Sequence, residues 1–117
     1  MKNRGFRERL NFAWSGLRGA WRSEASLRTH IRMSLLLVIV LLVLRPALLW
    51  WAICGAMVTL VIAAELINTA LEHLADHLHP EQHPRIKIVK DCAAAAVLIS
   101  SIGALWVSVM MVLSVVL

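Results

Sequence analysis

Three long apolar stretches alternate with short polar ones along the chain, and each has the length of a membrane span. They occupy residues 27–44, 47–78 and 85–117, the second with a polar continuation at its end. At about 1.5 Å per residue, roughly 20 apolar residues cross the hydrocarbon layer of a bilayer as a helix. The pattern therefore predicts three transmembrane helices, the second of which extends beyond the membrane.

A fourth segment, residues 6–22, combines arginines with apolar residues at helical spacing. The apolar positions are Phe6, Leu10, Ala13, Trp14, Leu17 and Trp21. This pattern is typical of an amphipathic helix that lies on a membrane surface, with tryptophan at the depth of the headgroups. The alternative is a helix that packs on the protein itself, and it is the weaker one because the adjoining stretches are apolar enough for lipid.

The composition favours an all-α integral membrane protein. Hydrophobic residues make up 60% of the 117 residues, which is far more than a soluble domain of this size carries. Arg45-Pro46 and the loop 79–84, which contains two prolines, interrupt the apolar pattern. We therefore expect one membrane domain over 1–117, with an N-terminal surface helix and three transmembrane helices.

The basic residues indicate the orientation of the helices. Of the 12 lysines and arginines, only Arg45 lies between the first and second spans. The others lie in the N-terminal segment, with Arg28 and Arg32 at the headgroup end of the first span, or after the second span. Cytoplasmic regions are the ones enriched in basic residues. Both regions are therefore expected in the cytoplasm, and the net charge of +5 indicates topology and contact with anionic lipid, with no nucleic-acid partner.

Polar residues share one face at the end of the second span. With about 100° per residue, Glu65, Asn68, Glu72 and Asp76 fall within about 80° of the helix circumference. An acid at the centre of a bilayer costs ~2.5–3.5 kcal/mol, so this face has to contact protein, water or a cation. We interpret it as a cation and phosphate site at the membrane edge. A solvated helix end with ordinary surface acids is the alternative.

The residue types at this face suit phosphoryl transfer. The chain has neither a GxxxxGK loop followed by Ser or Thr nor a GxGxxG loop. Phosphoryl transfer requires a metal on the phosphates, cations that neutralise charge and a carboxylate that orients or deprotonates the attacking hydroxyl. Glu24 and Glu72 suit a magnesium ion, Glu65 suits proton abstraction from a lipid alcohol, and Lys90 suits phosphate.

Two other classes of function fit parts of the same pattern. A small proton-coupled transporter would use Glu65, but it leaves Glu24, Lys90 and Asp91 without roles. A noncatalytic assembly or membrane-anchoring protein would need none of these residues. His73 and His77 have a spacing that metal ligands use, yet no second pair at matching spacing accompanies them, so a zinc site is disfavoured.

Several motifs together resemble one family. They are Glu24-Ala-Ser-Leu-Arg28, then Glu65-Leu-Ile-Asn68-Thr-Ala-Leu-Glu72-His, Asp76, and Lys90-Asp91 before a run of alanines. This combination resembles the prokaryotic diacylglycerol kinase family, which includes the undecaprenol kinases. The similarity extends from Trp14 to about Ser101.

The resemblance implies both an assembly and a reaction. It implies a homotrimer whose active sites are shared between neighbouring subunits, in the cytoplasmic (inner) membrane of a bacterium and facing the cytoplasm. ATP with Mg²⁺ would be the phosphate donor, and diacylglycerol or undecaprenol would be the lipid alcohol that receives the γ-phosphate.

The resemblance also implies a role for each matching residue. Glu65 would be the catalytic base, and Glu24 and Glu72 would be the metal ligands. The nucleotide would contact Phe12, Glu24, Asn68, Glu72, Asp76, Glu81, His83, Lys90 and Asp91. The lipid substrate would contact Trp14, Arg28 and Glu65.

The chain departs from the family pattern at two of its positions. Phe12 stands where some members carry an aromatic hydroxyl, and His30 stands where some carry an acid. His30, together with the Glu72-His73 pair and the loop of histidines and prolines, is more similar to the undecaprenol branch.

Overall fold

Four helices make up the described part of the chain. The computed structural model describes residues 4–117, which form α1 (Phe6–Ser23), α2 (Ala25–Leu44), α3 (Leu48–Leu78) and α4 (Pro84–Val116). Within 4–117 there is no β-strand. The predicted all-α class, with an N-terminal helix followed by three long apolar helices, is confirmed. The predicted domain starts at residue 1, and residues 1–3 lie outside the described part.

The helices end where local backbone chemistry stops them. A single extended residue, Glu24, separates α1 from α2, and its N–H donates to the carbonyl of Ala20 at 2.8 Å. Proline stands at the start of α4, where it has no helical hydrogen bond to lose. The residue before it, His83, accepts the Arg85 N–H on its ring Nδ1 at 3.1 Å. These short connections hold the four helices close together in space.

The turn between α2 and α3 contains the one left-handed residue of the described chain. Arg45 has φ 49° and ψ 59°, and its N–H donates to the carbonyl of Leu41 at 2.9 Å. A left-handed residue closes a helix by satisfying a free carbonyl, and glycine is the residue that usually occupies this position. The following residue, Pro46, disfavours the right-handed helical conformation at Arg45 and so helps to end α2.

The core of the bundle lies at the end away from the polar face. Leu41, Cys54 and Met111 are buried against one another, and Trp50 and Trp51 pack around them. The most extensive helix contact is that of α3 with α4, while α2 packs mainly on α3. The core therefore joins all three long helices at the end marked by the turn at Arg45.

Most apolar side chains of the long helices point away from the chain itself. Leu48, Leu105 and Trp106 are 83%, 66% and 67% exposed. All three long helices are long and apolar enough to cross a membrane. Since apolar surface in water costs about 25 cal/mol per Å², surfaces of this kind belong in lipid or against other protein. The fold is that of a multi-pass membrane protein.

We expect the left-handed conformation of Arg45 to lower the free energy of unfolding relative to a chain with glycine at this position. Arg45→Gly should be more stable than Arg45→Ala by about 1 kcal/mol, because only glycine adopts this conformation without a steric cost from Cβ. The alanine variant is the matched control, since it removes the same charge and keeps Cβ. Unfolding midpoints in detergent measure the difference, and equal midpoints for the two variants would contradict the prediction.

Candidate active site

Glu65 is the one charged residue that is buried within residues 4–117. It lies in the middle of α3 and is 1% exposed. Its Oε1 accepts the hydroxyl of Ser26 at 2.5 Å and lies 2.5 Å from Nδ1 of His30. Ser26 and His30 lie four residues apart on α2, so both face α3 from one side of that helix. The carboxylate is therefore covered by α2.

His30 continues this contact to the third long helix. Its Nε2 lies 2.9 Å from the hydroxyl oxygen of Ser101 on α4. The Ser101 oxygen also lies 2.7 Å from the carbonyl of Val97 in its own helix. A chain of polar groups thus connects α2, α3 and α4 at the level of Glu65, in surroundings that are otherwise apolar.

The next turn of α3 carries an amide with an unsatisfied oxygen. Thr69 donates its hydroxyl to the carbonyl of Glu65 at 2.9 Å. Asn68 Oδ1 is buried and has no hydrogen-bond partner, and it is the only such side-chain atom in the described chain. A buried carbonyl oxygen without a partner is costly, and a donor or a cation would satisfy it. The Asn68 position predicted to bind nucleotide is thus able to accept a further contact.

Two ion pairs mark the polar end of the bundle. The Lys90 ammonium of α4 donates to the carboxylate of Asp76 on α3, and these side chains are 37% and 62% exposed. Lys87 and Asp91 form a second pair within α4, at 2.6 Å. Exposed pairs such as these contribute little to stability, so their charge remains available for a ligand. Three predicted nucleotide contacts, Asp76, Lys90 and Asp91, therefore meet at this end.

A cavity of about 530 Å³ lies beside these ion pairs, in the loop between α3 and α4. Its lining includes Glu81, His83, Lys90 and Asp91, all of which were predicted to contact nucleotide. The ring of His79 packs edge-on against that of His83 with 5.1 Å between the centroids, and His79 Nδ1 contacts the carbonyl of Glu81 at 2.8 Å. These contacts give the loop a defined shape.

The remaining predicted residues are on or near α1. Phe12 and Trp14 are 44% and 61% exposed, and the Arg18 guanidinium lies 5.7 Å from the centre of the Trp14 ring. Arg28 donates to the backbone carbonyls of Trp21 and Arg22 at 2.6 and 3.2 Å. Arg28, predicted to contact lipid, thus caps the last turn of α1 and fixes the angle between α1 and α2.

The carboxylates of residues 4–117 do not form a complete metal site by themselves. Within residues 4–117, no group of three or more His, Cys, Asp or Glu side chains lies close enough to hold a metal. Mg²⁺ is commonly held by one or two carboxylates plus substrate phosphates and waters. Glu24 and Glu72 are half-buried and offer such oxygen donors, and the unsatisfied oxygen of Asn68 lies one turn before Glu72.

A second cavity, also of about 530 Å³, is an apolar groove between α2 and α4. Its polar end is formed by His30 and Ser101, and it extends along α4 as far as Leu113. Leu113 lies 12 positions after Ser101, which corresponds to about 18 Å of helix. Because His30 touches Glu65, the groove ends beside the buried carboxylate.

Sequence reasoning missed three members of this site. It gave no role to Ser26 or Ser101, and it treated His30 only as a departure from the family pattern. The available signal was the presence of polar side chains inside apolar helices, which commonly marks a functional position in a membrane protein.

Comparison with known proteins identifies the family of this sequence. Residues 11–112 match the family model described as prokaryotic diacylglycerol kinase. The diacylglycerol kinase of Escherichia coli is 34% identical over 93 residues, which cover 80% of this chain and 76% of that protein. The undecaprenol kinase of Bacillus subtilis is 29% identical over 110 residues, covering 87% and 89%.

A longer relative shows the same similarity over part of its length. The diacylglycerol kinase of Synechocystis sp. is 32% identical over 96 residues, and the match spans 81% of this chain but 55% of that protein. With a family model that matches nearly the whole chain, and with relatives in the diacylglycerol and undecaprenol branches, this chain belongs to the prokaryotic diacylglycerol kinase family.

Proposed function

We propose that the protein is a membrane lipid kinase that transfers the γ-phosphate of ATP to the hydroxyl of diacylglycerol or undecaprenol. The products are phosphatidic acid or undecaprenyl phosphate, together with ADP. The observation that carries the proposal is the buried carboxylate of Glu65, which contacts His30 at the polar end of an apolar groove. The proton-coupled transporter considered from the sequence is not favoured, because the relatives are named as kinases.

The apolar groove suits the hydrocarbon of the lipid substrate. Its lining is aliphatic apart from the polar groups at the His30 end and a few small hydroxyls. A hydrocarbon chain in the groove would keep its polar head at the level of His30 and Ser101, next to Glu65. A lipid alcohol bound in this way presents its hydroxyl to the carboxylate without leaving the membrane.

The C-terminal end of α3 suits the nucleotide. From Glu65 to Asp76 is 11 residues, or about 16 Å of helix. Asp76, Lys90 and the loop cavity lie at this exposed end, where a water-soluble triphosphate has access. The triphosphate would then extend along α3 past Glu72 and Asn68, with its γ-phosphate toward Glu65.

The reaction needs one proton acceptor and several groups that neutralise charge. Glu65 accepts the hydroxyl proton while the alcohol oxygen forms a bond to the γ-phosphorus and the bond from that phosphorus to the ADP oxygen breaks. Lys90 supplies positive charge near the phosphates. Glu24 and Glu72 would hold Mg²⁺, which neutralises phosphate charge when bound. Phe12, Glu81, His83 and Asp91 would complete the contacts with the nucleotide, and Trp14 and Arg28 those with the lipid.

We propose that the protein works as a homotrimer at the cytoplasmic face of the bacterial inner membrane. The excess of basic residues on one side supports this orientation. The large exposed apolar surface and the unsatisfied Asn68 oxygen support contacts from neighbouring copies. Each active site would then combine Glu65 of one subunit with Glu24 of the next.

We expect Glu65→Gln to abolish most of the kinase activity without unfolding the protein. The glutamine keeps an oxygen that accepts from Ser26, but it no longer accepts a proton, so the rate should fall by ~10²–10⁴-fold. The measurement uses purified protein, labelled ATP and Mg²⁺, with diacylglycerol and undecaprenol in mixed micelles. Chelation of Mg²⁺ should stop the reaction.

Glu8→Gln is the matched control for this experiment. Glu8 is an exposed acid on α1 that pairs with Arg4 at 3.4 Å, so the same chemical change should leave the rate unaltered. The proposal fails if the wild-type protein phosphorylates neither lipid, or if Glu65→Gln is as active as Glu8→Gln.

Mixing two inactive variants tests the shared site. Trimers formed from equal amounts of Glu65→Gln and Glu24→Gln chains should recover about a quarter of the wild-type activity, because each site takes its two acids from independently chosen subunits. The recovery is measured after mixing in detergent and reconstitution. Mixed trimers with no activity above either variant alone would contradict a shared site.

A further inference from the structure

The two contacts to the Glu65 side chain meet on the same oxygen. Both Ser26 Oγ and His30 Nδ1 lie 2.5 Å from Oε1. No hydrogen bond from residues 4–117 reaches Oε2. Asn68 Oδ1 is the only side-chain polar atom in that range that is both fully buried and without a partner. Because Oε2 has no partner either, it must retain some accessible surface. One carboxylate oxygen is held, and the other is free.

The direction of each hydrogen bond follows from what the groups are able to donate. An ionised carboxylate only accepts hydrogen bonds, so the proton of a neutral His30 ring lies on Nδ1. Its Nε2 then accepts the single hydroxyl hydrogen of Ser101 at 2.9 Å, in place of the Val97 carbonyl 2.7 Å away to which the same hydroxyl is also able to donate. The ring is thereby held at one nitrogen by α3 and at the other by α4, while its own backbone belongs to α2.

Both ring nitrogens of His30 are already engaged, which limits the roles open to this residue. His30 lines the apolar groove, yet no nitrogen remains to bind the substrate hydroxyl. Any effect of the ring on the reaction must therefore act through Glu65 or through packing.

We propose that His30 is a positioning residue that holds Oε1 of Glu65 and leaves Oε2 as the atom that takes the proton of the lipid alcohol. This inference rests on the proposed kinase activity. When Oε2 gains the proton, Oε1 becomes the carbonyl oxygen of the acid and still accepts from Ser26 and His30. The network keeps the same donors before and after proton transfer, so nothing has to rearrange during the reaction.

Three substitutions at His30 separate these roles. Asparagine places its amide N–H at the same distance along the side chain as Nδ1, while glutamine places it at the distance of Nε2. Leucine provides neither. We expect kcat of His30→Asn to stay within about 3-fold of wild type, whereas His30→Gln and His30→Leu lose about 10–100-fold in kcat. The KM for ATP should stay unchanged, because His30 does not line the cavity beside Lys90 and Asp91.

Ser101→Ala tests the far end of the network. Ser100 is its matched control, because the Ser100 hydroxyl donates to the carbonyl of Ala96 at 2.8 Å in the same helix and contacts no histidine. We expect Ser101→Ala to lower kcat by about 2–5-fold, and Ser100→Ala to match wild type.

A measurement independent of activity tests the geometry itself. Nitrogen NMR on isotope-labelled histidine should show a His30 ring whose Nδ1 is protonated. The signal is assigned by its loss in His30→Asn. A ring protonated on Nε2 alone would overturn the proposal whatever the enzyme does.

The kinetic outcomes decide the rest. If the wild-type protein phosphorylates neither lipid, the kinase assignment and the role of His30 are both overturned. If the wild-type protein is active, a contrary result with the variants overturns only the role of His30. The role is overturned if His30→Leu keeps full kcat, if only the lipid KM rises, or if a folded His30→Asn loses as much as His30→Gln. Elution volume and thermal unfolding in detergent identify which variants are folded, and the asparagine and glutamine pair suffices where leucine does not fold.

Discussion

Placing a carboxylate inside an apolar bundle is the constraint on which the arrangement of the helices depends. An isolated ionised carboxylate in a medium as apolar as this costs on the order of tens of kcal/mol, and hydrogen-bond donors must offset that cost. Glu65 receives its donors from α2, and one of them, His30, also contacts Ser101 of α4. The rotation of α2 about its own axis is limited as a result, because Ser26 and His30 both have to face α3.

The properties of α3 change in steps along its length. The end near Cys54 packs into an apolar core, the layer of Glu65 is polar but buried, and the end near Asp76 is exposed to water. Its 31 residues correspond to about 46 Å, which exceeds the apolar thickness of a membrane. One continuous helix therefore extends from a depth that suits a lipid to a depth that suits a nucleotide, which is what a kinase acting on a membrane alcohol needs.

A single chain does not cover its own apolar surface or satisfy all of its buried polar atoms. The three long helices expose most of their aliphatic surface, and the buried oxygen of Asn68 has no partner in residues 4–117. Both features are what we expect of a subunit whose neighbours and ligands complete its site. The polar network around Glu65, by contrast, lies within one chain. Glu65 is thus held in place by its own chain, while the Asp76 end of α3 is open to groups from outside.

The sequence by itself determined the helices and the polar face of α3. Hydrophobic length and periodicity are properties of a single helix, so the three spans, the amphipathic N-terminal helix and the common face of Glu65, Asn68, Glu72 and Asp76 were all predictable. The motifs were also sufficient to recognise the family, which the comparisons confirm.

Only the tertiary structure decided which groups meet that face. His30 lies 35 residues from Glu65 and 71 from Ser101 along the chain, so their contact depends on how three helices pack and rotate against one another. The role of Arg28 at the end of α1 depends in the same way on the angle between two helices. Periodicity assigns a residue to a face of its own helix, but the partner on the other side is set by packing between helices, which no single-helix pattern contains.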